Sequence, residues 1–300
     1  MSVKCIICDG ESESFIRHDG YNFLECSGCK LLFVSPMPSD EELSIVYSPK
    51  VGYQSNKTKN DYTKTENYKY KKILEEVLRQ NSPNKNVLDV GASDGEFLFY
   101  AKKAGFTVAG VEPNQTTADI GNSRGLNVYC GFLNQSSFAK NFFGILRLGD
   151  VLEHSNNPDK LIQECSEYLV SGGLLVVSIP NMDSNWARST RFFTNFWRLP
   201  WSVLTPPHHL FYFSKNNLDM FFKKKGFTLV TAWYHRPPTL KYELGNTHLF
   251  GEWKRNKGFR NTIRFVWGFA LYSALYCFDF LITPFKQKDF GMLCIYRKDA

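Results

Sequence analysis

The residues Asn86-Val87-Leu88-Asp89-Val90-Gly91-Ala92-Ser93-Asp94-Gly95-Glu96-Phe97 decide the fold of this chain. Residues 87–90 are typical of a buried parallel strand, and the Gly-x-x-x-Gly turn after them leads into a helical pattern. Glycines let a ligand approach the backbone, and a helix N-terminus presents unpaired N–H groups. A strand–helix connection that binds nothing has the same pattern, so the ligand has to be argued from the surrounding residues.

The composition is that of a globular protein. The chain has 300 residues, 43% of them hydrophobic and 16% aromatic, which is enough for a full core and excludes intrinsic disorder. Its formal net charge of +7 favours anionic partners without specifying one. No apolar run of the signal-peptide kind follows Met1, so we expect a cytoplasmic protein. In that compartment its eight cysteines are metal ligands and buried thiols rather than disulfides.

Two Cys-x-x-Cys pairs near the N-terminus predict a metal site. Cys5 and Cys8 form one pair, Cys26 and Cys29 the other, and four thiolates at this spacing can surround a structural Zn²⁺. A module this short cannot fold on burial alone, so the metal would supply most of its folding energy. The alternatives are a redox dithiol or four thiols that are unrelated to one another. The segment between the pairs is not richly basic, so we expect a scaffold or a lid on the substrate side.

Strand and helix patterns alternate from residue 87 onward, in the manner of βαβ units. This predicts an α/β protein: a Rossmann-like, mostly parallel sheet with helices on both faces, plus a small N-terminal zinc ribbon. We divide the chain into a zinc-ribbon-like module at 1–35, a helical connector or lid at 36–80, a ligand-binding core at 81–236, and a C-terminal part at 237–300. The last part would hold a helical insertion and the final core strand.

The acids near the first turn indicate which ligand it holds. Glu112 follows the second strand, where nucleotide-binding folds place an acid on the ribose hydroxyls. A dinucleotide fold would have Gly-x-Gly-x-x-Gly here, whereas this chain has Gly91-x-x-x-Gly95. The carboxylates of Asp89 and Asp94 would repel a pyrophosphate but not a cationic sulfonium, so we expect S-adenosylmethionine rather than NAD.

Four motifs resemble those of class I S-adenosylmethionine-dependent methyltransferases. Residues 87–95 and 111–114 resemble the first two motifs, 150–154 (Asp-Val-Leu-Glu-His) the end of the fourth strand, and 172–181 the fifth-strand motif. The paired Cys-x-x-Cys module, followed by Pro-x-Pro-Ser and Tyr47, is similar to a subgroup with an N-terminal zinc-binding segment. The resemblance implies a methyltransferase core at 81–236. For the subgroup it implies a sugar, a nucleotide-linked sugar or a glycan precursor as acceptor.

The resemblance also implies which residues hold the cofactor. The first motif would bind its methionine part, Glu112 its ribose, residues after the third strand would border the adenine, and residues after the fourth would form the crevice floor. The implied residues are Asp89, Gly91, Ser93, Gly95, Glu112, Pro113, Gly131, Phe132, Asp150 and Val151.

Three positions depart from the family pattern. Ser93 replaces the middle glycine of the first motif, which narrows the turn, and Gly144 stands where an aspartate usually begins the fourth strand. Arg147 is unexpected near a strand end. We expect it either to pair with a buried acid or to reach an anionic substrate, and the sequence does not separate the two.

The base that takes a proton from the acceptor is expected in residues 205–214, after the fifth strand, or at the end of the fourth. The catalytic candidates are His208, His209, Tyr212 and His154. Residues 209–214 resemble a His-Leu-aromatic-aromatic-Phe-Ser run of the subgroup. For each histidine the alternative is a structural hydrogen bond or a solvated loop. Aromatic and cationic residues nearby form either an acceptor wall or a core patch: Trp186, Trp197, Trp201, Arg188, Arg191 and Arg198.

Residues 265–285 are almost entirely apolar and are flanked by basic residues. Their length would permit a membrane span, but residues 290–297 resemble a core strand that must return to the same sheet. The alternatives are an interfacial helix that gives peripheral membrane contact, a helix packed on the domain, or a homodimer interface. A membrane-associated location therefore stays open beside the cytoplasmic one.

Two rival functions also stay open at the level of sequence. One is a nicotinamide-dependent oxidoreductase on a similar fold. The other is a non-enzymatic zinc-ribbon protein that binds nucleic acid, which the modest basicity of the cysteine module disfavours.

Overall fold

A computed structural model describes residues 3–46, 67–197, 201–235, 249–286 and 289–300. Residues 47–66 of the predicted connector and Arg198 of the predicted acceptor wall lie outside the described residues. The chain forms two compact units. We call Met1–Pro36, Pro180–Leu218 and Trp233–Leu293 the cysteine unit, and Met37–Ile179, Asp219–Ala232 and Cys294–Ala300 the sheet unit. The four-part division expected from the sequence stays a prediction.

A seven-stranded sheet confirms the predicted α/β fold. Its strands are β5 (Asn86–Val90), β6 (Thr107–Glu112), β7 (Val128–Cys130), β8 (Phe143–Gly149), β9 (Leu169–Pro180), β11 (Phe227–His235) and β12 (Gly291–Lys298). Their order is β11-β12-β9-β8-β5-β6-β7, and β7, β6, β5, β8 and β9 pair in parallel. The chain order reverses between β5 and β8, which is where open α/β sheets bind their ligands.

The last strand returns to this sheet, as predicted. Strand β12 lies between β11 and β9, and its residues Met292 to Tyr296 are fully buried. A strand buried on both faces has no room for polar side chains, which explains the apolar run Met-Leu-Cys-Ile.

The helices that alternate with these strands begin and end at residues that the sequence marks. They are α2 (Tyr68–Arg79), α3 (Glu96–Lys103), α4 (Gln115–Ser123), α5 (Pro158–Tyr168) and α7 (Lys215–Lys224). Asn114 and Asn157 cap α4 and α5 by accepting backbone N–H bonds from Thr117 and Lys160. Ser39 and Glu42 form a capping box at the start of the short helix α1 (Asp40–Val46), as their spacing in the sequence indicates.

The cysteine unit contains an antiparallel sheet of five strands. These are β1 (Val3–Lys4), β2 (Glu11–His18), β3 (Tyr21–Cys26), β4 (Leu32–Val34) and β10 (Phe211–Tyr212), in that order. Strand β10 comes from the loop that follows β9, and it pairs with β4 so that Phe211 faces Phe33 and Tyr212 faces Leu32. The cysteine module and the histidine-bearing loop therefore share one sheet.

Three helices complete the described part of the cysteine unit: α6 (Asn185–Trp197), α8 (Leu249–Arg255) and α9 (Phe259–Lys286). Helix α9 covers the apolar segment 265–285. In the part of the chain that the structure describes, no helix is long and apolar enough to cross a membrane.

Candidate active site

The turn between β5 and α3 has the backbone that its glycines allow. Gly91 and Gly95 have φ values of 75° and 80°, in the left-handed region. A Cβ at Gly91 would lie 2.5 Å from Val151 Cγ2, so a larger residue would push apart two predicted cofactor residues. Ser93, which replaces the middle glycine of the family motif, has a φ of 52° and so keeps the left-handed backbone that a glycine would adopt.

Glu112 connects this turn to the next one. Its carboxylate is buried at the end of β6, where Oε2 accepts from the Ser93 N–H (2.8 Å) and Oε1 accepts from the Asn114 N–H (2.9 Å). Among the described residues, the buried hydroxyl of Ser93 has no hydrogen-bond partner. An orphaned hydroxyl beside a carboxylate at the edge of a parallel sheet fits a ligand that carries hydroxyl and amino groups.

The other predicted cofactor residues lie at the same edge of the sheet. Pro113 follows β6, and Gly131 follows β7 and donates its N–H to the Glu112 carbonyl at 3.0 Å. Phe132 is 61% exposed, so its ring is available to a ligand. Asp150 follows β8 with a φ of 56°, and its N–H donates to the Ser178 carbonyl at 2.8 Å. The sheet unit therefore brings the predicted cofactor residues together at the carboxyl ends of its parallel strands.

Asp89 forms a buried ion pair with Arg147. The guanidinium Nη1 lies 2.8 and 3.0 Å from the two carboxylate oxygens, and Asp89 is fully buried. Burial raises the pKa of Asp89 to about 6 while Arg147 works against that rise, so the carboxylate is charged at neutral pH. This answers the question left open by the sequence: Arg147 pairs with a buried acid.

Asp94 is also paired, because Arg124 Nη1 lies 3.0 Å from its Oδ2. The electrostatic argument against a pyrophosphate treated Asp89 and Asp94 as uncompensated charges, and on this point it was wrong. Each carboxylate has an arginine beside it, so neither repels an anion as an isolated charge would. The identity of the cofactor therefore depends on other observations.

Lys69 is a site residue that the sequence did not indicate. Its Nζ donates to Ser178 Oγ (3.1 Å), and that hydroxyl donates to Asp150 Oδ1 (3.4 Å). Burial lowers the pKa of Lys69, while the nearby Asp150 raises it. Lys69 stands in the first turn of α2 among other lysines and tyrosines, so no pattern distinguishes it. It positions the carboxylate of a predicted crevice residue.

Two acid–base candidates of the motif at 150–154 lie in a short 3₁₀ turn, Leu152–His154. Glu153 is fully buried, and neither of its carboxylate oxygens has a hydrogen-bond partner among the described residues. Burial raises its pKa well above the usual value, and Asp150 adds to the rise. The sequence named His154 here, and the structure adds a buried, protonatable Glu153 next to it.

The other catalytic candidates belong to the cysteine unit. Tyr212 is buried in β10, where its hydroxyl accepts from the Thr205 N–H (3.1 Å) and donates to the His209 carbonyl (3.0 Å). These two bonds fix the conformation of residues 205–212, which carry both histidines and which we call the histidine loop. His208 is partly buried, and burial lowers its pKa, so its imidazole is neutral at neutral pH.

The four cysteines form one cluster. Cys5 Sγ lies 3.5 Å from Cys29 Sγ, Cys8 Sγ lies 3.4 Å from Cys26 Sγ, and all four sulfurs lie within 4.8 Å of one another. A disulfide requires about 2.05 Å. In a tetrahedral site with Zn–S bonds of about 2.3 Å, the sulfurs are about 3.8 Å apart. The donor set and its spacing fit a structural Zn²⁺.

Two tryptophans of the predicted acceptor wall, Trp186 and Trp201, are core residues, while the side chain of Trp197 lies outside the described residues. Trp201 is buried and donates its indole N–H to Thr190 Oγ1 (3.0 Å). Trp186 is buried against Tyr272, with ring centroids 6.1 Å apart. Arg191 pairs with Glu25 at 2.7 Å. The structure therefore supports the core alternative for Trp186 and Trp201.

The comparison with known proteins identifies the family. A profile described as "Methyltransferase domain" matches residues 62–232. The chain belongs to this methyltransferase domain family. The matched segment contains β5 to β9 and the cofactor residues predicted above, so the domain is that of an S-adenosylmethionine-dependent methyltransferase. The family match favours this assignment over the nicotinamide-dependent alternative.

Individual relatives are distant. A protein of Methanocaldococcus jannaschii described as uncharacterized is 29% identical over 109 residues, which cover 36% of this chain and 51% of that protein. The chain thus spans about half the length of this curated relative. Among solved structures, 1,6-didemethyltoxoflavin-N1-methyltransferase of Burkholderia thailandensis, with bound S-adenosylhomocysteine, has a TM-score of 0.52 at 12% identity. The match covers 96% of this chain and 100% of that protein's chain.

A further solved structure, a putative sarcosine dimethylglycine methyltransferase of Galdieria sulphuraria, has a TM-score of 0.48 at 16% identity and covers 77% of this chain and 85% of its own. At 12% identity the similarity to the Burkholderia thailandensis structure concerns the fold alone.

We call the turn at residues 91–95 and the residues that follow strands β6, β7 and β8 the cofactor edge. Replacing Glu112 tests whether this edge binds the cofactor. Glu112→Ala removes both the expected ribose contact and the bonds to two backbone N–H groups, so the affinity for S-adenosylhomocysteine should fall by at least about 100-fold. Calorimetric titration measures the affinity. Glu112→Gln is the matched control: it keeps the size and one acceptor oxygen, and we expect a smaller loss. Unchanged affinity in Glu112→Ala would refute the ribose assignment.

Proposed function

We propose that this protein transfers the methyl group of S-adenosylmethionine to a sugar, a nucleotide-linked sugar or a glycan precursor. The observation that carries the acceptor half of the proposal is the pairing of β4 with β10, which joins the cysteine module to the histidine loop in one sheet. The subgroup that this combination resembles uses such acceptors. The cofactor half is supported by the family and by the cofactor edge around Glu112.

The cofactor supplies an electrophilic methyl group on a sulfonium. The chain's own residues then have to bind and orient it, since methyl transfer depends mainly on alignment of the nucleophile, carbon and sulfur. In this proposal Glu112 holds the ribose, and the turn after β5, which includes Ser93, holds the methionine end. Lys69 and Ser178 keep the Asp150 carboxylate in place at the crevice.

The proton of a sugar hydroxyl has to leave as the new bond forms. His208 and His209 are the proposed bases in the cysteine unit, and His208 is suited to the role because burial keeps it neutral at physiological pH. Tyr212 acts in this scheme by positioning, since its hydroxyl is bonded within the loop.

We further propose that Cys5, Cys8, Cys26 and Cys29 hold Zn²⁺ as a structural ion. Two hydrogen bonds join the cysteine module to residues near the histidines. The Cys29 carbonyl accepts from Asn217 Nδ2 at 3.5 Å, and the Val34 N–H of β4 donates to the Leu210 carbonyl at 3.0 Å. A metal that orders the cysteine turns would therefore also order the loop that carries the histidines. A cytoplasmic location, a homodimer and the absence of nucleic-acid binding stay predictions.

Removing the metal site tests its structural role. Cys26→Ser should abolish the one zinc per chain that we expect in the wild-type protein, because structural zinc needs all four ligands. Elemental analysis measures the metal. We also expect a lower melting temperature and a large loss of turnover. Cys165→Ser, at a buried thiol outside the cluster, is the control and should keep full zinc content. Zinc-free wild-type protein with full activity would contradict the proposal.

Replacing His209 tests the base together with the acceptor class. Glycan and nucleotide-sugar extracts are incubated with the enzyme and isotope-labelled cofactor, and mass spectrometry identifies what gains the methyl group. His209→Ala should lower turnover by about 10²- to 10⁴-fold while leaving cofactor affinity unchanged, since only proton transfer is lost. His18→Ala, at a histidine of β2, is the control and should retain activity. Full activity of His209→Ala would remove it as the base, and label in no sugar-containing compound would refute the acceptor class.

A further inference from the structure

Helix α9 presents an apolar stripe to solvent. Nine residues follow the i, i+3, i+4, i+7 spacing of one helix face, and all are exposed. We call them the outer stripe: Phe259, Ile263, Val266, Trp267, Ala270, Ala274, Cys277, Phe278 and Leu281. Phe259 is 81% exposed and Trp267 71% exposed. The stripe runs from Phe259 to Leu281, which are about 33 Å apart along the helix axis at a rise of about 1.5 Å per residue. A contiguous exposed apolar surface of this length marks an interaction site.

The opposite face of α9 already serves the core of the cysteine unit. Gly268 and Tyr272 are buried there, and Trp186 packs against Tyr272 and Tyr276 with ring centroids 6.1 and 6.0 Å away. Helix α8 also packs on α9, with Trp253 stacked on Phe265 at 5.2 Å. The expectation of a helix packed on its own unit thus accounts for one face. It does not account for the outer stripe, because the solvent-facing side of a helix in a globular protein is normally polar.

Five cations lie at the start of the stripe. Helix α8, the first turns of α9 and the residues between them carry what we call the basic rim, all of it exposed: Lys254, Arg255, Lys257, Arg260 and Arg264. Glu252 and Asp279 are the two acids in the sequence of these helices, and all five cations of the rim lie in the acid-free run between them, residues 253–278. The surface around the stripe is therefore complementary to an anionic partner.

The charge of the rim distinguishes between the possible occupants. In a twofold interface the same surface of a second copy would face the rim. Its two helices carry only Glu252 and Asp279 as acids, against the five cations of the rim, so two copies would leave an excess of positive charge at the interface. Anionic lipid headgroups supply negative charge and apolar depth at the same place. Exposed tryptophan and phenylalanine beside lysine and arginine are the composition of a helix that lies in the membrane interface.

We propose that the outer stripe and the basic rim dock this protein on the surface of an anionic membrane, with α9 lying in the plane of the interface. This placement agrees with a helix that does not span a membrane. The docking surface is independent of the chemistry at the cofactor edge, because its residues belong to neither the cofactor-binding nor the proposed catalytic set.

Vesicle sedimentation of the full-length protein tests the proposal. Wild-type protein should sediment with phosphatidylcholine vesicles that contain phosphatidylglycerol, and much less with phosphatidylcholine alone or at high salt. Val266→Glu with Trp267→Glu should abolish sedimentation, because two charges replace the centre of the stripe. Arg260→Glu with Arg264→Glu should lower partitioning by at least about 20-fold, given roughly fivefold per cation near an anionic surface.

A matched charge reversal separates the rim from net charge. Lys223→Glu with Lys224→Glu, at exposed positions of α7, makes the same change in net charge away from the stripe and should leave sedimentation within about twofold of wild type. Melting temperatures of the variants show whether each one is folded. Trp267→Phe should keep binding but lose the part of tryptophan quenching that lipid-borne quenchers cause in the wild-type protein.

Three results would overturn the proposal: equal sedimentation with neutral and anionic vesicles, the same loss of binding in the α7 control as in the rim variant, or no vesicle binding by a folded wild-type protein. Light scattering tests the main alternative, which is a dimer formed through the outer stripe. A wild-type dimer that Val266→Glu with Trp267→Glu converts to monomer, in a protein that ignores vesicles, would make the stripe an interface between copies. Because S-adenosylhomocysteine binding does not involve this surface, it should be unchanged in all these variants, so failure here is distinguishable from failure of the proposed function.

Discussion

The ion pair between Asp89 and Arg147 is the interaction on which the cofactor edge depends. The two residues lie opposite each other in paired strands β5 and β8, at the point where the strand order reverses. Both are almost completely removed from solvent, so losing either partner would leave a buried charge uncompensated, at a cost of about 3–5 kcal/mol. Gly149 makes the pair possible, since a Cβ there would overlap the Arg147 guanidinium.

This pair also organises the helices around the site. The guanidinium carbon of Arg147 lies 4.6 Å from the centre of the Phe97 ring in α3 and 5.4 Å from that of Tyr70 in α2. Helix α2 in turn supplies Lys69 to the chain of hydrogen bonds that ends at Asp150, and its cap Asn67 donates to Glu96 at the start of α3. The acids of this region are thus held by groups of the same unit: Asp89 and Asp94 by arginines, Asp150 through Ser178 and Lys69, and Glu112 by two backbone N–H groups.

Local patterns made much of this predictable from the sequence. The strand–turn–helix at residues 86–97, the parallel sheet, the final strand and the Ser39–Glu42 capping box all depend on neighbours in the chain. The cysteine spacing likewise predicted the cluster. What the sequence missed depends on pairing across the fold. The partner of Arg147 is defined only once β5 and β8 are in register, and the arginine beside Asp94 comes from the end of α4.

The same limit explains what the sequence left open or did not indicate outside the first turn. Strand β10 is two residues long and carries no strand pattern of its own, so its pairing with β4 could not be read from spacing. The tryptophans of residues 186–201 were open to two interpretations because an aromatic cluster has the same composition in a core and in a binding wall. Lys69 had no distinguishing pattern, since its role comes from burial beside Ser178 rather than from its neighbours in α2.

The central claim is that the edge around Glu112 and the turn at Gly91 is built for a sulfonium nucleoside. A thermal-shift comparison of the full-length protein with S-adenosylhomocysteine and with NAD tests it most directly. A ligand that binds the folded state at about 100 times its dissociation constant adds about 2.7 kcal/mol to the stability. We predict a clear rise in melting temperature with S-adenosylhomocysteine and none with NAD. A rise with NAD and no response to S-adenosylhomocysteine would contradict the account.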